Sequence, residues 1–320
     1  MERIKGNTEV NKRLLNEILD NESININEFG ILGGGKNSET YWAKTENNNK
    51  CVIKIYPEKD GSHDRRMRHS REENFLEYCK FSIVENTPRI LAKDKNRKWI
   101  VLSWLKGKKI KEIDDKYINS LIAFLEKLNE KNPTKGNMYR YKAKDNYINT
   151  DKTIEENLKR YNIIMKQSQI DKEIRFWIES EIKQKIEMTL NDQYDETDES
   201  RLILSPSDVG IQNSLRMEDK FMYFDFEYGG IDDIHKTISD IILQPNHKLN
   251  EYQLRIIFDE IRSKKCIGSK ISNKVIYKLF NLYQIRWTLI IAKHVNSIEE
   301  LINYDQRTRD IIVKSNNYLN

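Results

Sequence analysis

The period of the apolar pattern changes near residue 106, and that change limits the chain to few architectures. Before it, short β-like runs alternate with Gly and Asn clusters. Residues 28–32 lead into Gly33-Gly34-Gly35, residues 39–44 precede Asn47-Asn48-Asn49, and 51–56 follow. Runs punctuated in this way predict antiparallel hairpins. Residues 65–80 carry Phe75, Leu76 and Tyr78 among charges and predict a helix. Residues 89–92 and 99–102 predict two further strands around the Lys95-Asn96 turn.

Beyond Lys106-Gly107-Lys108-Lys109 the chain turns helical. Ile118, Leu121, Ile122, Leu125 and Leu128 repeat at helical spacing, and 174–190 is amphipathic. Thr153 with Glu156, and Ser297 with Glu300, read as capping boxes. A β-like island at 201–215 and 220–226 interrupts the helices, which resume from Ile234. The expected fold class is α+β. Residues 1–105 form a small antiparallel β lobe with one helix, and 106–320 a larger, mainly helical lobe.

Composition narrows the partners. The 320 residues include 55 basic and 50 acidic ones, a net charge of +5 on a mixed surface. No basic stripe with interleaved aromatics marks a nucleic-acid footprint. Cys51, Cys79 and Cys266 are far apart, so neither a zinc site nor a disulfide framework is expected, and a reducing compartment fits. Met1-Glu2-Arg3-Ile4-Lys5 has no apolar core behind it, so a signal peptide is not expected. No run reaches the roughly 18 apolar residues of a membrane span. The expectation is a cytoplasmic protein with a small-molecule partner, no nucleic acid and no membrane insertion. Oligomeric state is not legible.

Phosphoryl transfer needs phosphates covered and neutralised, metal ions held and the attacking hydroxyl positioned. The chain offers a candidate for each part, in the order that kinases use. Asp208 lies on Ser205-Pro206-Ser207-Asp208-Val209-Gly210, Asn213 follows five places later, and Asp225 lies beyond the next β-like run. These match a catalytic base and two magnesium ligands. The glycines Gly33, Gly34 and Gly35 could let backbone N–H groups approach phosphates, although the Walker pattern is not met. Lys54, on Val52-Ile53-Lys54-Ile55, resembles the phosphate-binding lysine of a kinase third strand. Ser103 and Leu105, on Val101-Leu102-Ser103-Trp104-Leu105, fall where kinases hold adenine.

Taken together, Leu204-Ser205-Pro206-Ser207-Asp208, Asn213 and Asp225-Phe226-Glu227-Tyr228 resemble the aminoglycoside phosphotransferase and choline kinase superfamily. The resemblance implies a bilobal protein-kinase-like fold, ATP and Mg²⁺ as cofactors, and a sugar-like, aminoglycoside or amino-alcohol acceptor. It also implies that Asp240 supports the catalytic loop. A Glu three places before Phe75-Leu76 points to Glu72 as partner of Lys54, with Glu73 the alternative. Pro206 stands where many members carry His. The competing reading is a catalytically weak or inactive, kinase-like regulatory module. A cationic acceptor would draw on acidic groups such as Asp232, Asp233 or the 192–199 loop, or on the faces of Tyr228 or Trp287.

Overall fold

The computed structural model describes residues 17–18, 24, 26–34, 38–56, 65–96, 98–135, 138–139, 141–143, 150–191, 199–295 and 297–319. The chain divides into two compact units, Met1–Lys108 with Asn213–Gly229, and Lys109–Gln212 with Gly230–Asn320.

The first unit is built on a five-stranded antiparallel sheet. Its strands are β1 (Ile26–Gly34), β2 (Glu39–Thr45), β3 (Lys50–Ile55), β4 (Ile90–Lys93) and β5 (Trp99–Ser103), in spatial order β1-β2-β3-β5-β4. This is the small-lobe sheet expected from the hairpin signals. Alternation sorts its side chains. Cys51, Ile53 and Ile55 of β3 pack with Trp99 and Val101 of β5 and with Tyr41 and Ala43 of β2 in one buried cluster. Lys54, between Ile53 and Ile55, therefore faces the other way. Helix α1 (Arg65–Phe81) buries Arg68, Glu72, Phe75, Leu76 and Cys79, a spacing that forms one helical face. Trp42 fixes one glycine: a Cβ on Gly30 would lie 2.7 Å from its indole nitrogen. A hairpin of β7 (Ser214–Met217) and β8 (Lys220–Tyr223) completes this unit.

The second unit is mainly helical. Helix α2 (Asp115–Asn129) buries Ile118, Leu121, Ile122, Leu125 and Leu128, the stripe read from the sequence, and Asp114 caps it by accepting from the Tyr117 N–H at 2.8 Å. Helix α3 spans Thr150–Lys166. It starts upstream of the expected capping box, so Thr153 is a buried interior residue and not its cap. Helices α4 (Lys172–Trp177) and α5 (Lys183–Asn191) are joined through a π-helical turn, Ile178–Ile182. The helices that follow are α6 (Ile234–Leu243), α7 (Glu251–Ser263), α8 (Asn273–Ile291) and α9 (Ile298–Leu319). Ser297 does cap α9, its Oγ accepting from the Glu300 N–H. Among the described residues, no helix is long and apolar enough to cross a membrane.

The expected β-like island splits in two. Strand β6 (Leu202–Ser205) pairs antiparallel with β9 (Gly230–Asp233), whereas β7 pairs with β8. The Asn129 side chain also binds β6. Its Nδ2 donates to the Leu204 carbonyl at 3.0 Å, and its Oδ1 accepts from the Leu204 N–H at 2.8 Å. One buried amide thus stands in for a neighbouring strand. We expect Asn129→Ala to strand two buried backbone groups and cost about 2–4 kcal/mol. Thermal or urea unfolding checks this; a midpoint like wild type would contradict it.

Candidate active site

Lys54 sits at the centre of a buried charge cluster in the first unit. Strand alternation aims it away from the apolar cluster, and α1 presents Glu72 to that same face. The Lys54 Nζ forms ion pairs with Glu72 Oε2 and Asp225 Oδ1, and Glu227 Oε2 lies 3.6 Å away. Tyr56, two residues along the strand, donates its hydroxyl to Glu72 Oε2 at 2.6 Å. Burial opposes the charge on Lys54, yet Asp225, Glu72, Tyr56 and Glu227 together hold its pKa well above the ordinary lysine value. It is therefore a fixed cation. Glu73, a helical step away, instead pairs with Lys93 of β4 and His69. The choice between Glu72 and Glu73 is thus decided by helical phase.

The β7–β8 hairpin explains how Asn213 and Asp225 come together. Ser214 pairs with Tyr223, and the Phe224 N–H donates to the Asn213 carbonyl at 3.0 Å. Asn213 and Asp225 therefore flank the open end of one hairpin. Asp225 has a left-handed backbone, φ 70°, and Phe226 behind it stacks on Phe75 of α1 with ring centroids 4.4 Å apart. That stacking anchors the segment carrying both Asp225 and Glu227.

Glu72, Asp225 and Glu227 each present a carboxylate oxygen within 4.8 Å of the others. Glu72 Oε1 and Glu227 Oε2 are buried with no hydrogen-bond partner among the described residues. Burial raises the pKa of Glu227, against the pull of Lys54. Three carboxylates facing Lys54 leave negative charge and orphaned hard oxygens, a donor set that suits a magnesium-like cation. The sequence pointed to Asp225 and Asn213 but not to Glu227, whose carboxylate joins the cluster, nor to Tyr56, which donates to Glu72. The signal for each was present: a carboxylate two places after Asp225, and a polar ring on the Lys54 face of the strand.

The remaining nucleotide candidates are in the first unit. Gly33 and Gly34 end β1, paired with Thr40 and Glu39 of β2. A Cβ on Gly33 would meet nothing within 4 Å, while Gly35 lies outside the described residues. Ser103 closes β5, its Oγ accepting from the Arg89 N–H at 2.8 Å, and Leu105 is half-buried just beyond.

Asp208 belongs to the second unit, on the loop after β6. Ser207 before it is left-handed, φ 67°, and the Asp208 N–H donates to the Pro206 carbonyl at 2.9 Å in a tight three-residue turn. The Ser205 Oγ accepts from the Ser207 N–H at 3.1 Å and from Thr237 of α6 at 3.0 Å, which holds the turn. The Asp208 Oδ1 accepts from Gln212 Nε2 at 3.1 Å and Gln244 Nε2 at 3.4 Å. Neither glutamine was anticipated. Among the described residues, Asp240 makes no hydrogen bond to this loop. It accepts from Lys236, Arg286 and Trp287, and those bonds use both of its oxygens.

The sequence matches no family model and no curated protein. Solved structures do resemble it. A choline kinase from Cryptosporidium parvum aligns with a TM-score of 0.65 at 15% identity, covering 96% of this chain and 99% of its own. A spectinomycin phosphotransferase, solved with ADP and spectinomycin, gives 0.60 at 13% over 95% and 97%. An ethanolamine kinase from Plasmodium vivax gives 0.58 at 16% over 93% and 85%. The chain thus has the protein-kinase-like α+β fold that these small-molecule kinases share.

Proposed function

We propose that this chain is an ATP-dependent kinase that transfers the γ-phosphate to a hydroxyl of a small molecule. The observation that best supports the reading is the meeting of Lys54, Glu72 and Asp225. They come from three distant parts of the chain and are the groups a kinase uses on nucleotide phosphates. Lys54 takes phosphate oxygens, and Glu72 with Tyr56 keeps its ammonium in place. Asn213, Asp225 and Glu227 would hold magnesium, which when bound neutralises phosphate charge. Gly33, Gly34 and Gly35 would cover the phosphates, and backbone groups at Ser103 and Leu105 would hold adenine. We assign nucleotide handling to residues 1–105 and acceptor handling to 106–320.

Asp208 is the proposed base. The acceptor oxygen forms a bond to phosphorus, the bond to the ADP oxygen breaks, and the acceptor proton passes to an Asp208 carboxylate oxygen. Gln212 and Gln244 fix the orientation of that carboxylate through its other oxygen.

Asp208→Asn can keep both amide contacts through its own Oδ1 while losing the basic oxygen. We expect Mg-ATP binding like wild type and acceptor-dependent ADP release at least ~10²-fold slower. Calorimetry beside a coupled ADP assay measures both, and near-normal turnover would move the base elsewhere. For Asp225→Ala the expectation is different: turnover that added magnesium cannot restore. Recovery at high magnesium would show that Asp225 only tunes affinity, and undiminished turnover at ordinary magnesium would remove it from the site.

A further inference from the structure

The second unit contains an open cavity of about 750 Å³. Its walls are the 109–113 segment, the end of the Asp208 loop, and the stretch from Pro245 into the first turn of α7. One lining side chain, Gln212, links the cavity wall to the loop carboxylate. Asn246 Nδ2 donates to Gln212 Oε1 at 3.2 Å, and Gln212 Nε2 donates in turn to Asp208 Oδ1 at 3.1 Å. A hydroxyl-bearing molecule in this cavity therefore lies against a wall one hydrogen bond from Asp208.

The lining has a sign. Lys109, Lys111 and Lys248 line it, with Glu112 the one lining carboxylate among the described residues. Among the described residues, no carboxylate pairs with any of the three lysines. Gln212, Asn246 and Asn250 add amides that can donate to or accept from hydroxyls. Of the features that could have served a cationic acceptor, 192–198 lie outside the described residues, and the four others are already engaged. Asp232 and Asp233 are fully buried, the first paired with Lys236 and the second with Arg201 and His235. Tyr228 carries the Arg68 guanidinium over its ring at 5.9 Å, and Trp287 carries that of Arg286 at 5.7 Å.

We propose that the acceptor is a polyhydroxylated molecule bearing an anionic group, phosphate or carboxylate, which Lys109, Lys111 and Lys248 hold in this cavity. The inference rests on the kinase reading of Asp208 and narrows it to a substrate class. Each exposed lysine–anion contact is worth roughly two- to fivefold in affinity, so three together give on the order of tenfold or more, weakening with salt.

Four probes with one ring test it: glucose 6-phosphate, glucuronate, glucose and glucosamine. Binding is measured by ligand-observed NMR at low salt, beside ATP-dependent ADP release, for wild type and for two triple variants at positions 109, 111 and 248. One carries Lys→Gln at each position, the other Lys→Arg. The expected result is at least one anionic probe binding ~10-fold or more tighter than glucosamine, a preference that the Gln variant loses and the Arg variant keeps. The tighter of the two anions tells phosphate from carboxylate. Failure of both anions to bind at millimolar concentration overturns the proposal, as does a preference for glucosamine or an anion preference that survives in a folded Gln variant. Lysine-dependent anion binding without ATP turnover on any probe supports the cavity assignment and counts against the kinase reading. Turnover that favours glucosamine does the reverse.

Discussion

A lysine ammonium buried to 5% exposure cannot exist alone, and the first unit is organised around that constraint. Desolvating a charge is costly unless opposite charge and hydrogen bonds compensate. Lys54 gains that compensation from α1 and from the segment after the β7–β8 hairpin. The sheet, the helix and the hairpin are each a local solution, and the ion cluster makes their mutual arrangement specific. The Phe75–Phe226 stack beside it supplies the apolar contact that holds the carboxylates at the required depth.

The second unit has a counterpart with a different balance. Lys236 is fully buried and donates to Asp232 and Asp240 at 2.8 Å, while Arg286 donates to the other oxygen of Asp240. Two carboxylates here meet two cations. Burial outweighs that compensation at Asp232 and raises its pKa to about 6, with Lys236 pulling the other way. His235 is also bound on both ring nitrogens, to Asp233 and to the Ser272 N–H, which fixes the orientation of its ring. Every carboxylate of this network meets a cation or a ring nitrogen, and its buried groups without a hydrogen bond among the described residues are donors, such as Arg286 Nε. In the Lys54 cluster it is two carboxylate oxygens, Glu72 Oε1 and Glu227 Oε2, that are buried without a hydrogen bond among the described residues, and acceptors of that kind suit a further cation.

Local patterns failed where more than one arrangement satisfies them. Thr153 and Glu156 match a capping signature, but the same spacing also occurs inside a helix, and α3 runs through it from Thr150. The stretch from 201 to 226 carries β-like residues throughout, and strand propensity does not say which run pairs with which. Backbone pairing divides it between β9 and β8. Asp240 had the position of a loop support, yet buried cations within reach captured both of its oxygens.

The sequence by itself determined the strand and helix order, the aiming of Lys54 away from the apolar side of its strand, and the spacing of Asp208, Asn213 and Asp225. These are properties of period and turn chemistry, which neighbouring residues dictate. Only the tertiary structure decided between Glu72 and Glu73, because both suit an isolated helix and a step of about 100° separates them. It likewise decided that Glu227 joins the carboxylates, that Gln212 and Gln244 hold Asp208, and that residues 213–229 fold with the N-terminal unit. Each of these depends on contacts between residues far apart in the chain, where burial and charge compensation, not local propensity, set the outcome.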